Sequence, residues 1–583
     1  MTDALQRLLD ALTGFLAENP LVGAWYTTAV RFVFPLLALM ILVGAIRSLW
    51  KVKHPDEVWG YLGMANGIRL PLTHWENIIG RAPACDVQLE YPSVSRQHAA
   101  LIREDDGSWT VYDLGSKGGV KVNDLPVDEY AVVEDGDTVS FGGIPTMLVP
   151  ISVEEKRRQM AERRIEGRPA GMWGALVLLT LFQVLTAVQL IIAAGDEATV
   201  TIPLTFLAFT LICWGYFIVM RSFRRIGFEM ETIAFFLCTL SLAVTGSTVP
   251  DEMPKQLIAI VMGLVLFLVL GFFLRDLSRA QKVRWFMGAA AVGMLVITLL
   301  IGSSEGGAKA WIRLGGLSLQ PSELAKICYI FAGAATLDRL FNKRNLWMFI
   351  GLTAICGACL ALQNDFGTAL VFFVTFLVIA YLRSGDFATL GLICAGCFAG
   401  GMVLLTVKGH VAARFSSWGH IWEDVYGAGF QQTHTLTAAA SGGMIGVGAG
   451  EGWLSGLAAA DTDIVFGMLC EEWGLIIAVL TVLCIITLAV FAVRACRAGR
   501  SSFYTIAACA ATSLLVFQTS LNVFGAVDIL PFTGVTLPFV SNGGSSMLSA
   551  WGMLAFLKAT DTRQNASFAV RLPSRRELRG EVD

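Results

Sequence analysis

Four carboxylic acids crowd the stretch "LAAADTDIVFGMLCEEWG", residues 457–474: Asp461, Asp463, Glu471 and Glu472. They stand directly ahead of an apolar run long enough to span a bilayer. A charge at a membrane rim is costly, so it persists where it is paired, faces a wet cavity or does chemistry. A positioned carboxylate there can accept or donate a proton. "GAKAWIRLGGLSLQPSELAK", residues 307–326, carries the complementary charges. Its first half reads as a polar loop with Lys309, Trp311 and Arg313. Pro321 suits the first turn of a helix, and Glu323 and Lys326 then share one helical face at i, i+3. Lys326 falls roughly 7 Å below the helix start, so it must pair or line a cavity, and Glu323 is the partner at hand. That pair either fixes helix packing or opens a polar cavity to the outer face. "LQNDFGTAL" (362–370) sets Asp365 at a helix end on the same side, and "FTGVTLPFVSNGGSS" (532–546) is a turn-rich loop ahead of the last span.

A second set of candidates lies where apolar and polar residues alternate in short runs, residues 54–150, with turn signals "DDGS", "SKGG" and "EDGD". In "IGRAPACDVQL" and "SVSRQHAAL", Arg81 and Ser95 sit in loops at similar distances from their strands. A guanidinium and a hydroxyl converging on one loop face suit a phosphate. His98 reads as the residue that orders the loop.

The elements that must position these groups follow from composition. Of 583 residues 55% are hydrophobic, and mean hydropathy is +0.63. That is a membrane protein with a smaller soluble part. A net charge of −3 excludes global affinity for nucleic acid. The twelve cysteines are scattered through apolar runs. Cys356/Cys359 and Cys394/Cys397 have CxxC spacing without His or carboxylate beside them, which helix packing explains. Residues 3–17 read as an amphipathic interfacial helix, not a signal peptide. Spans are expected near 30–50, 172–195, 202–220, 232–249, 255–274, 283–302, 322–341, 346–363, 366–383, 386–406, 464–493, 503–528 and 543–559, about thirteen in all. "RSFRR" (221–225), "RDLSRAQKVR" (275–284), "NKR" (342–344) and "RACRAGR" (494–500) fall on one side, which is then cytoplasmic. The N-terminus is expected outside, the C-terminus inside, and 303–321 and 407–463 are the long external segments. The fold class expected is a mostly α polytopic membrane protein with an inserted all-β sandwich domain. Its parts are 1–53, the sandwich 54–150, a basic linker 151–170 expected to be helical, two additional spans in 171–230, a membrane domain 231–560 and a tail 561–583.

The β segment resembles a forkhead-associated (FHA) domain, a phosphothreonine-peptide binder. The resemblance implies Arg81 and Ser95 as phosphate contacts, joined by Arg96 and Lys117, and a phosphothreonine protein as partner. It departs from the family at Gly118, where Asn is usual. The membrane segments "GAKAWI", "QPSELAK", "DFGTA", "GFQQTHTL", "TDIVFGMLCEEWG" and "GVTLPFVSNGGSS" resemble, in order, the SEDS family of RodA/FtsW type. That family polymerises lipid II into peptidoglycan glycan strands outside the cytoplasmic membrane, beside a class B penicillin-binding protein. The resemblance implies Asp463, after Thr462, as the catalytic carboxylate, and a structural role for Glu471 and Glu472. Asp461 stands where His is common, Asn364 where Pro is usual and Asn542 where Tyr is usual. Lys309, Arg313, Glu323, Lys326 and Asp365 are the expected substrate-cavity residues. Lysine, arginine or a divalent cation would neutralise the lipid diphosphate. Two other readings use the same features: a transporter that passes lipid II across the bilayer, and an inactive membrane scaffold that positions the FHA domain.

Overall fold

The computed structural model describes residues 2–51, 57–83, 85–104, 107–166, 171, 173–305, 308–314, 317–337, 343–384, 387–407, 415–496, 501–563 and 565–569. Every apolar run expected to span is helical. In chain order the helices are α1 Thr2–Glu18, α2 Pro20–Lys51, α3 Val153–Glu166, α4 Trp173–Ala194, α5 Thr201–Ser222, α6 Glu229–Thr248, α7 Met253–Phe273 and α8 Leu277–Ile301. Then come α9 Pro321–Leu337, α10 Lys343–Leu362, α11 Phe366–Ser384, α12 Phe387–Val407, α13 Phe430–Gly442, α14 Gly474–Cys496, α15 Ser502–Ala526 and α16 Gly544–Ala559. Among the described residues nine helices are long and apolar enough to cross a membrane. The runs near 322–341, 366–383, 386–406 and 543–559 form helices outside those nine. The first span starts earlier than expected, at Pro20, because the apolar spacing continues through Trp25 and Tyr26.

The sandwich is built as the alternation requires. Its strands are β1 Gly60–Met64, β2 Arg69–Leu72, β3 Glu76–Gly80, β4 Val87–Gln88, β5 Ala99–Arg103, β6 Trp109–Asp113, β7 Val120–Val122, β8 Leu125–Pro126, β9 Tyr130–Val133, β10 Thr138–Phe141 and β11 Ile144–Val149. One sheet runs β2-β1-β11-β10-β7-β8 and the other β4-β3-β5-β6-β9. Leu62, Ile79, Leu101, Val111, Val139 and Phe141 fill the space between them. The linker is helical as α3, and Tyr61 Oη donates to Glu155 at 2.5 Å, tying it to the sandwich.

Segment 303–321 is more ordered than the polar loop read from sequence. β12 Ser303–Glu305, β13 Ala308–Leu314 and β14 Leu317–Leu319 form a small antiparallel sheet. The period of two explains it: Ala310 and Ile312 are buried, while Lys309, Trp311 and Arg313 point the other way.

The three spans ahead of residue 228 do not stand apart. α2 lies against α4, α6 and α14, so α6 is enclosed on nearly every face. The chain after α16 does not leave the bundle either. The Arg563 guanidinium donates to Glu229 Oε1 and Oε2, both at 3.1 Å, and to Asp561 Oδ2 at 2.8 Å, with all three side chains fully buried. Lys558 donates to Glu231 at 2.9 Å, Tyr216 Oη donates to Glu231 at 3.0 Å, and Ser48 Oγ donates to Glu229. This cluster fastens α2 and α5 to α6, α16 and the start of the tail. Removing one partner leaves a buried charge uncompensated, at about 3–5 kcal/mol. Arg563→Ala should therefore lower the melting temperature of the detergent-solubilised protein sharply, and Arg563→Met with Glu229→Leu and Asp561→Leu should recover most of it.

Candidate functional site

Two amides four residues apart in an apolar helix organise the end of the membrane domain that carries Asp463. Gln518 and Asn522 on α15 lie on one face, about 6 Å apart along the axis. Asn522 Nδ2 donates to the carbonyl of Asp463 at 2.9 Å and to that of Val535 at 2.8 Å. Gln518 Nε2 donates to the carbonyl of Thr536 at 3.0 Å, and its Oε1 accepts from Lys326 Nζ at 3.2 Å. One helix face thus holds the loop with Asp463, the loop after Phe532 and the buried ammonium of Lys326.

The Asp463 loop is fixed from several sides. The Ala459 carbonyl accepts from the backbone N–H of Thr462, Asp463 and Ile464, with Ala459 itself at φ 62°. A non-glycine residue there stores about 1–3 kcal/mol of strain. Ser541 Oγ donates to the Thr462 carbonyl at 2.6 Å. Asn542 grips Asp461 twice: its backbone N–H donates to the carbonyl at 2.8 Å and its Nδ2 to Oδ2 at 2.7 Å. The two positions where His and Tyr were expected are therefore direct partners. Asp463 is half-buried, and Gly534 lies beside it: a Cβ there would stand 3.1 Å from Asp463 Oδ2. Asn364, where Pro was expected, has φ 59°, which proline's ring forbids.

Glu323 and Lys326 form the expected pair at 2.7 Å, both buried. Asp365 faces the same pair: burial raises its carboxyl above the ordinary range, while its bonds to Thr368 and the Lys326 charge oppose that and Glu323 adds to it. The residue is half-buried, but its Oδ2 is enclosed. Glu323 Oε2, Asp365 Oδ2 and Asn522 Oδ1 are buried acceptors with no donor among the described residues. Such groups normally have partners, so they suit hydroxyl-bearing ligands or water. The other two cations are not brought to this pair. Lys309 Nζ donates to the Leu299 carbonyl at 2.7 Å, where it caps α8, and Arg313 is exposed on the outer sheet. Among the described residues no three His, Cys, Asp or Glu side chains gather as a metal site.

Glu471 and Glu472 sit in a π-turn, Leu469–Trp473, after a single α-turn, Val465–Met468. Glu471 accepts from the N–H of Trp453 and of Leu454, each at 3.0 Å; Glu472 accepts from Gly450 N–H at 3.1 Å and Ser247 Oγ at 2.8 Å. They hold the 450–454 loop onto the bundle, Glu471 wholly through backbone N–H groups and Glu472 through Gly450 and Ser247. The remaining motifs close on the same place. Gln320 N–H donates to Ser545 Oγ at 2.8 Å, Thr536 Oγ1 and Ser546 Oγ are 2.8 Å apart, and Gly367 packs against Thr533 and Val535.

On the sandwich, the candidate phosphate contacts share one loop face. Arg81 N–H donates to the Ser95 carbonyl at 2.9 Å, and Lys117 N–H donates to Ser95 Oγ at 3.0 Å. The Arg81, Arg96 and Lys117 side chains are exposed there. His98 is buried and orders the loops: its Nδ1 accepts from Ser95 N–H at 3.0 Å, which leaves Nε2–H to donate to the Gly119 carbonyl at 3.1 Å. Gly118 is exposed, but the direction of a Cβ is blocked: it would stand 2.7 Å from the Ser93 carbonyl oxygen and from Gly142 Cα. Side chains larger than hydrogen require these loops to move apart.

Sequence reading missed Gln518, Asn522, Thr536, Ser541 and Ser545. Its available signal was an amide pair at i, i+4 inside a spanning run, where intramembrane polar residues mark function.

Comparison with known proteins places two models on the chain: the cell cycle protein family of FtsW, RodA and SpoVE over residues 228–566, and the FHA domain over residues 77–142. The peptidoglycan glycosyltransferase RodA of Mycobacterium tuberculosis is 29% identical over 322 residues, 52% of this chain and 69% of that protein. The probable peptidoglycan glycosyltransferase FtsW of Moranella endobia is 35% identical over 266 residues, 44% of this chain and 70% of that one. Among solved structures, a chain from work on the structural coordination of polymerization and crosslinking by a peptidoglycan synthase complex is 26% identical, with a TM-score of 0.48, covering 58% of this chain and 98% of that one.

The closeness of Glu323, Lys326 and Asp365 makes a direct prediction. Single Ala substitutions at Glu323 and Lys326 should each reduce turnover, and the double substitution should be less harmful than their sum, because neither charge is left unpaired. A double-mutant cycle measures this, and strict additivity contradicts the pairing.

Proposed function

We infer the function of this chain from one premise: it belongs to the cell cycle protein family of FtsW, RodA and SpoVE, which its membrane domain matches over residues 228–566. It is a multi-pass membrane enzyme, a peptidoglycan glycosyltransferase, with an FHA domain between its first and second spans. We propose that it polymerises lipid II at the outer face of the cytoplasmic membrane, with Asp463 as general base. The observation that carries this reading is the clasp of Asn522 on the Asp463 carbonyl, which fixes a half-buried carboxylate beside the loop that also reaches the Lys326 ammonium through Gln518.

In the reaction proposed, the sugar 4-hydroxyl of the acceptor attacks the anomeric carbon of the donor. The new C–O bond forms as the bond from that carbon to the lipid diphosphate breaks, and the diphosphate leaves with the electron pair. Asp463 takes the hydroxyl proton. A diphosphate is already a good leaving group, so it needs opposing charge more than a proton. Arg313 at the exposed rim and Lys326 within the cavity are the cations proposed to supply it, while Lys309 positions the α8 end. The orphaned acceptors on Glu323, Asp365 and Asn522 suit the hydroxyl and amide donors of the sugars. Direct displacement turns an α-linked donor into a β-linked strand.

The partner proposed on the outer side is a class B penicillin-binding protein that crosslinks the strands. The cytoplasmic partner proposed is a phosphothreonine protein bound by Arg81, Ser95, Arg96 and Lys117. This assigns the sandwich and the C-terminus to the cytoplasm and residues 415–463 to the outside.

Two experiments test the reading. Purified Asp463→Asn, which keeps shape but loses the base, should polymerise lipid II about a hundred- to ten-thousand-fold more slowly than wild type while still binding it. Near-wild-type polymerisation by that variant rejects Asp463 as the base; translocation of lipid II without polymer would favour the transporter. Separately, Arg81→Ala should weaken binding of a phosphothreonine peptide more than tenfold by calorimetry, the loss of a charge-assisted contact worth about 1.5–3 kcal/mol.

A further inference from the structure

The FHA domain touches the membrane domain at the opposite end of the helix that carries Gln518 and Asn522. Glu76, the first residue of β3, points its carboxylate at the start of α15. Ser501 Oγ donates to Glu76 Oε1 at 3.2 Å, Ser502 N–H donates to Oε2 at 3.4 Å, and Ser502 Oγ also donates to Oε2. Ser501 is the N-cap, its Oγ accepting from Phe503 N–H at 3.3 Å, and the Glu76 carboxylate supports that cap through Ser501 Oγ and Ser502 N–H and opposes the positive end of the helix dipole. The neighbouring Trp75 packs against the membrane core, so the contact is part of a docked surface. α15 spans 25 residues, about 37 Å, the thickness of a bilayer. Its far end holds the Asp463 carbonyl, the 535–536 loop and, through Gln518, Lys326.

We propose that Glu76 is a positioning residue for the reaction at the outer face. It acts through α15: the cap fixes the helix at its cytoplasmic end, and Asn522 and Gln518 carry that position to Asp463 and Lys326. A helix is stiff along its axis, so an FHA domain drawn by its ligand pulls on the cap and shifts both amides together. The Asp463 loop already holds a strained Ala459, which makes its position sensitive to the loss of a single clasp. This inference rests on the glycosyltransferase reading, and it gives the FHA domain a physical route to a site across the membrane.

The test uses the full-length protein with lipid II. Glu76→Ala should lower kcat about three- to tenfold, the scale of a lost helix cap, with KM unchanged. Glu76→Asp should recover most of it, and Glu76→Ala with Asn522→Ala should lose less than the product of the single losses. Amide hydrogen exchange supplies a readout independent of turnover: exchange in 459–464 and 533–542 should rise in Glu76→Ala. A Glu76→Ala enzyme with wild-type kcat, or one whose exchange changes only in β3 and the first turn of α15, overturns the coupling. Failure of the wild-type protein itself to polymerise lipid II overturns the glycosyltransferase reading instead, and the exchange result then decides the coupling by itself.

Discussion

The amide of Asn522 is the interaction on which the Asp463 end of this molecule depends. One NH2 group, buried in a helix of otherwise apolar character, spans the carbonyls of Asp463 and Val535. It fastens to one helix two irregular loops from distant parts of the chain, which Ser541 and Asn542 also join to each other through Thr462 and Asp461. Hydrogen bonds of this kind contribute modestly to net stability, but an unmade one costs the full desolvation of its carbonyl. The loops are therefore placed by an asymmetry: few alternative positions leave those carbonyls satisfied.

The rest of the site follows from the same demand. Glu471 spends both oxygens on the N–H groups of 453–454 and Glu472 spends Oε2 on that of Gly450, and the π-turn that carries them widens the helix start so that both can face that loop. Gly474 is the position where this geometry requires glycine: it lies at φ 84° with the Met444–Gly446 backbone against it. Buried polar residues bonded to loop backbone thereby set where one half-buried carboxylate stands. At the opposite end of the bundle, the buried Glu229–Arg563–Asp561 cluster does the equivalent work for the added N-terminal spans.

Much of the architecture was legible in the sequence because its signals are strong and local. Spanning apolar runs, the period of two in the sandwich and the i, i+3 spacing of Glu323 and Lys326 each depend on neighbouring residues alone. What escaped depends on partners far apart in the chain. Gln518 and Asn522 read as two polar interruptions of a span until the loops at 461–463 and 533–542 are seen beside them. Lys309 looked like a substrate cation, yet the turn of β13 brings its ammonium to the carbonyls of α8. Asp461 and Asn542 looked like two unrelated departures from a family pattern, and only contact in space shows them to be a pair.

The central claim is spatial: Asp463 and Lys326 serve one bound molecule because α15 holds both. A structure of the full-length Asp463→Asn protein with lipid II bound tests it most directly. The account predicts a sugar ring against residue 463 and the loop at Gly534, with the diphosphate on the side of Lys326 and Arg313. Lipid II bound at another face of the bundle, with residue 463 away from both sugars and diphosphate, would contradict it.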